Sequence, residues 1–126
     1  MDLQAYFETN NGIGVLSTAD AKGTVNSAVY SRPHIMDDGT VAFIMANRLS
    51  HKNLESNPHA SYLFVEQGRG YQGKRFSLTK VREEADTPLL ESLRRRRYSP
   101  GEEKSMKPLY LVFFKIDQEL PLVGAN

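Results

Sequence analysis

Asp37-Asp38-Gly39-Thr40-Val41-Ala42-Phe43-Ile44-Met45-Ala46 is a turn followed by six apolar residues, and its reading decides the fold. Asp-Asp-Gly supplies side chains that hydrogen-bond their own backbone and a residue free to take positive φ, so the chain reverses there. An apolar run of six, bounded by such a signal, has the length of a strand rather than of a helix. Working outward to the N-terminus, Thr24 to Tyr30 is β-branched and alternating, Asp20-Ala21-Lys22-Gly23 is a turn, and Ile13 to Thr18 is a second short apolar run. That pattern predicts a hairpin beside the third strand. Asp2 stands where it can cap a short helix whose Leu3, Tyr6 and Phe7 fall at helical spacing, with Asn10-Asn11-Gly12 ending it.

Toward the C-terminus, Ser50 is expected to cap a helix running to about Ser56, stopped by Asn57-Pro58 because proline disfavours helical geometry in the residue before it. Ala60 to Glu66 reads as the fourth strand, and Arg75 to Val81, with Phe76, Leu78 and Val81, as the fifth. Thr87-Pro88 offers a cap and first helical position for a helix reaching about Arg97, with Leu89, Leu90 and Leu93 as its buried stripe. Pro108 to Ile116 is almost wholly apolar and reads as a central last strand. The expected fold class is therefore mainly β (α+β): six antiparallel strands with short covering helices, closed into a barrel because closure hides the edges of so small a sheet.

Composition sets the outer limits. At 126 residues, 40% hydrophobic and 25% charged, the chain suits one globular domain, 1–126. Sixteen basic and fifteen acidic residues leave a formal charge of +1, so no global field recommends nucleic acid or an anionic membrane, and any anion site is local. Without cysteine there is no disulfide framework, thiolate metal site or Cys nucleophile. The opening MDLQAYFETN lacks a leader's apolar core and no apolar run reaches membrane-spanning length, so a cytoplasmic location is expected.

Chemistry concentrates in Met45-Ala46-Asn47-Arg48-Leu49-Ser50-His51-Lys52-Asn53. A helix N-terminus carries unpaired N–H groups and a partial positive charge, so acids belong in its first turn, yet here His51-Lys52 follow the serine. Backbone donors, the Ser50 hydroxyl, Lys52 and Arg48 together have the composition of a phosphate site. The alternative leaves Lys52 and Arg48 in solvent at a cost of about a few tenths of a kcal/mol.

Taken in order, Ser31-Arg32-Pro33, the Asp38-Gly39 turn, the apolar third strand, Ser50-His51-Lys52-Asn53-Leu54 and Asn57-Pro58 resemble the pyridoxamine 5'-phosphate oxidase-like FMN-binding split barrels. The likeness runs from Leu3 to about Asp117 and is closest to the general-stress-protein and small FMN-binding-protein branches. It implies a six-stranded antiparallel split β-barrel, a homodimer, and FMN in a groove between the subunits. It also implies that Ser50, His51 and Lys52 hold the phosphate, that Arg32 reaches the phosphate or ring with Ser31 beside it at the cofactor site, and that Met45, Ala46 and Asn47 lie beside the flavin. The implied activity is electron transfer through FMN from a reduced nicotinamide or another reductant to a small acceptor. The rival expectation is a non-catalytic flavin carrier or sensor, or a relative that has moved to deazaflavin or haem. Vitamin-oxidising relatives extend past the last strand with Arg and His residues for the substrate phosphate; this sequence ends Leu122-Val123-Gly124-Ala125-Asn126, so pyridoxamine phosphate oxidation is not expected.

Three other signals are set aside. Gly68-Arg69-Gly70-Tyr71-Gln72-Gly73 spaces its glycines like a dinucleotide loop, but a strand follows where a helix would be needed, so it is read as a hairpin loop. Arg94-Arg95-Arg96-Arg97 falls in the last turn of a helix, where cations are favoured, and Glu91 is placed to pair with Arg95, so the run is read as a solvated face. His34, His51 and His59 lack the spacing and neighbouring carboxylates of a metal set.

Overall fold

The computed structural model describes residues 2–95 and 108–124. Helix α1 (Leu3–Thr9) leads into strands β1 (Gly12–Ala19) and β2 (Val25–Tyr30), a two-residue strand β3 (His34–Ile35), and β4 (Val41–Ala46). Helix α2 (Leu49–Ser56), β5 (His59–Glu66), the long β6 (Gly73–Ala85), α3 (Pro88–Arg95) and β7 (Leu109–Pro121) complete the order. All seven strands form one sheet in the order β2-β1-β5-β6-β7-β4-β3, and every pairing is antiparallel. Among the described residues the strands of this half-barrel therefore number seven where the pattern led us to expect six. The added β3 is two residues pairing His34 with Ala42 and Ile35 with Val41, too short to show a period.

The apolar stretch Val41–Ala46 packs on both faces. Val41, Phe43 and Met45 enter one core with Leu16, Tyr62, Phe64, Phe76, Leu78, Val112 and Phe114. Their alternates, Ala42, Ile44 and Ala46, turn to a second cluster with Leu90 and Leu93 of α3 and Leu109, Leu111 and Phe113 of β7. Side chains alternate across a strand, so a strand covered on both sides must be apolar at every position. β4 and β7 are neighbours in the sheet for the same reason, with Phe43 opposite Val112.

Within the first core, Phe7 meets Phe64 edge-to-face at 5.2 Å and Phe43 lies 4.9 Å from Tyr62, arrangements that suit the quadrupoles of the rings. α1 begins as expected, the Asp2 carboxylate accepting from the Ala5 N–H at 2.8 Å. α3 also has its expected cap, Thr87 Oγ1 accepting from the Leu90 N–H, but only Leu90 and Leu93 of its three leucines are buried; Leu89 is exposed. The continuation of α3 to Arg97 lies outside the described residues.

β6 outruns its expected end at Val81 because the ladder is irregular there: Lys80 pairs with Phe114 and Arg82 with Phe113, leaving Val81 unpaired. A bulge of this kind breaks the alternation that sequence reading relies on and re-aims the side chains beyond it, Glu83 among them. Among the described residues no helix is long and apolar enough to cross a membrane.

Candidate functional site

The α2 N-terminus is assembled differently from its expected form. Arg48 occupies the cap position with no side-chain cap hydrogen bond, and the first turn holds no acid. Ser50 is thus inside the helix, which corrects its reading as the cap; its hydroxyl is buried and hydrogen-bonds the Tyr30 phenol of β2. Among the described residues no acid stands in the first turn to offset the N–H groups of this end and the adjacent guanidinium.

Beside this end lies a groove of about 400 Å³. β2 supplies one wall through Asn26, Ala28, Val29 and Tyr30, with Ser31 just beyond it. Ile44 and Ala46 of β4 and Leu109 of β7 supply apolar surface, and Arg48, Leu49 and Ser50 the start of α2. Arg94 enters from α3. Among the described residues the lining contains two arginines and no acid, with Glu91 just outside it 3.3 Å from the Arg94 guanidinium, in a chain that is nearly neutral overall. Burial pushes the Tyr30 phenol up, and the Ser50 hydrogen bond and the Arg48 charge only partly offset that, so it stays a neutral hydroxyl at physiological pH.

The residues singled out from sequence divide cleanly. Ser31, Ala46 and Ser50 line the groove. Met45 does not, because the strand alternation that turns Ala46 outward turns Met45 into the core, where it is 1% exposed. Asn47 and Lys52 are exposed and outside the lining. Arg32 turns toward α1: its Nη1 donates to the carbonyls of Phe7 at 2.6 Å and Asn10 at 3.1 Å, satisfying acceptors at the end of that helix.

His51 points away from the groove and is 2% exposed. Its ring stacks on Tyr110 of β7 at 3.9 Å, and Nε2 lies 3.1 Å from both carboxylate oxygens of Glu83 on β6. Lys80 Nζ contacts the same carboxylate at 2.7 Å. The buried Nδ1 has no hydrogen-bond partner, which fits the tautomer with the proton on Nε2, donated to Glu83. Burial raises the Glu83 carboxyl, but the hydrogen bonds from Lys80 and His51 outweigh it and hold it below the ordinary value. The first turn of α2 is thereby fastened on two sides, by Ser50 to β2 and by His51 to β6 and β7.

Sequence reading missed Asn26, Tyr30, Ile44 and Arg94. Tyr30 and Ile44 carry the periodic signal of the strands they sit on, and that signal was spent on locating the strands. No group of three or more His, Asp and Glu able to hold a metal occurs among the described residues.

A second hollow, of about 500 Å³, lies on the far side of α1 between Gln4, Phe7, Glu8, Arg32, His34 and Leu93. Its lining carries the acid Glu8, and its arginine is the one committed to the α1 carbonyls.

A search of curated proteins returns no match to this sequence. Among solved structures, an FMN-binding protein from Syntrophomonas wolfei superposes with a TM-score of 0.76 at 20% identity, over 95% of this chain and 83% of that one. HupZ of Group A Streptococcus gives 0.73 at 21% identity over 100% of this chain and 98% of its own. The haem storage protein HutZ of Vibrio cholerae gives 0.71 at 16% identity, over 94% and 91%. At these identities the likeness is one of fold. The family model of pyridoxamine 5'-phosphate oxidase matches residues 2–119, nearly the whole chain, and the protein belongs to that family.

Proposed function

We propose that the groove binds FMN and that the protein is a flavoprotein passing electrons from a reduced nicotinamide, or another reductant, to a small acceptor. The observation that carries this reading is the pairing, in one groove, of an apolar surface with an uncapped, acid-free helix N-terminus. FMN has the matching halves, a flat hydrophobic ring and a phosphate ester. Arg48, the Ser50 hydroxyl and the N–H groups of the first turn of α2 hold the phosphate. Val29, Ile44, Ala46, Leu49 and Leu109 seat the ring, while Asn26 and Ser31 offer hydrogen-bonding groups. Tyr30 stays protonated and keeps Ser50 in place. Bound FMN supplies the two-electron chemistry, and the protein's share is binding, orientation and electrostatic tuning.

Val29 and Leu49, both in the groove lining, are 75% and 52% exposed. A second copy of the chain covers such a rim, so the working unit in this reading is a homodimer with the cofactor at its interface.

The second reading, a carrier or sensor without turnover, is favoured by a lining that, among the described residues, holds no acid and no histidine. A haem occupant fits less well, because among the described residues of the lining neither histidine nor methionine offers an axial ligand.

The deciding experiment is a visible spectrum of the purified protein with mass identification of any released ligand. Flavin absorption with FMN retained through gel filtration is expected; colourless protein that ignores added FMN overturns the reading. Bleaching by NADH or NADPH and recovery with an acceptor separates turnover from storage.

A further inference from the structure

We infer that Arg94 determines specificity in the groove: it is the second cation that meets the ligand's anionic group, so the site selects a flavin bearing a phosphate over the same flavin without one. The inference rests on the FMN reading above and extends it to a residue on a third element.

As part of a four-arginine run, Arg94 is expected from sequence to stand in water. Instead its side chain is only 15% exposed and lines the groove. Helical geometry explains this. Leu90 lies one turn earlier on the same face and Leu93 next to it, and both are packed against β4 and β7. Position 94 is therefore carried to the edge of that buried stripe, against the apolar floor formed by Ile44, Ala46 and Leu109.

The guanidinium arrives there with unused capacity. Its Nη2 lies 3.3 Å from Glu91 Oε2, at the long end for a charge-assisted bond, and its Nε is buried without a hydrogen-bond partner. A buried donor left unsatisfied is unfavourable unless a ligand completes it. Among the described residues no acid of the groove lining does so. With Arg48 the lining contributes two positive charges, and a phosphate monoester carries close to two negative ones at neutral pH. The planar fork of an arginine suits phosphate oxygens better than a point charge would.

The test compares the wild-type chain with Arg94→Gln and Arg94→Lys, titrating each with FMN and with riboflavin by flavin fluorescence. For Arg94→Gln we expect the FMN dissociation constant to rise at least about tenfold while that for riboflavin stays within about twofold. Arg94→Lys should recover only part of the loss. Unchanged FMN affinity, or equal weakening of both flavins, overturns the inference. If the wild type binds neither flavin, the FMN reading itself falls, and Arg94 is judged by inorganic phosphate: a phosphate-dependent rise in melting temperature present in the wild type and lost in Arg94→Gln supports it, and a rise of the same size in both overturns it.

Discussion

At the scale of single residues, His51 shows how a polar side chain in the first turn of a helix can be structural. Its link to Glu83 spans the gap between α2 and β6, so the carboxylate orders the turn that carries Ser50. Glu83→Gln keeps one acceptor but loses the charge that Lys80 and His51 share; discounted for partial exposure, the loss is about 1 kcal/mol, a fall of roughly 3–5 °C in melting temperature. The pH dependence follows from the direction of the shifts. Glu83 and Glu84 both lie below their ordinary value of 4.5 in the fold, Glu84 through the Thr87 hydroxyl and then Arg82. Carboxyls depressed on folding stabilise the protein above the unfolded value and lose that contribution as pH falls through their folded values. Melting followed by circular dichroism should be nearly flat from neutral pH to about 5 and fall below 4.5. Glu83→Gln should show a shallower acid decline, and an identical one would refute the role given to this carboxylate. The basic residues at the start of α2, with no acid among them, were visible in the sequence. Where each side chain points was not, because the partner of His51 lies thirty-two positions away.

Among elements, β2 is held where the groove needs it by a tyrosine on another strand. The Tyr62 hydroxyl donates to the Ser31 carbonyl at 3.2 Å, and beneath that hydroxyl passes Gly14 of β1. A methyl group at position 14 would run into the Tyr62 oxygen and the Tyr30 carbonyl. Gly14→Ala should therefore destabilise by about 1–3 kcal/mol and weaken FMN binding as well, because β2 must shift. Urea unfolding and a flavin titration check the two effects together. Tyr62→Phe, which keeps the ring and removes the donor, should affect binding more than stability. Strand existence was legible wherever apolar residues clustered between turn signals, as at Val41 to Ala46. It failed for β3, which has too few residues for a pattern, and for the end of β6, where Val81 interrupts the alternation.

For the molecule as a whole, the exposed rim of Val29 and Leu49 leads to a prediction about assembly. Sedimentation should give twice the mass of the chain, and Val29→Lys should yield a monomer that no longer retains FMN; a stable monomer with full flavin affinity would refute the interface. The mainly β class and the central position of the last strand were readable because doubly buried strands leave an unbroken apolar trace. The groove was not, since its walls come from β2, β4, α2, α3 and β7, and no local pattern records their meeting. The pairing of β4 with β7, which sets Phe43 beside Val112, closes the longest loop in the sheet. Contacts so distant along the chain are expected to form late, after the local hairpins have limited the search. Ile44, Ala46 and Leu109 become one surface only at that step, so a ligand that needs all three captures the finished sheet alone and draws the folding equilibrium toward completion by mass action.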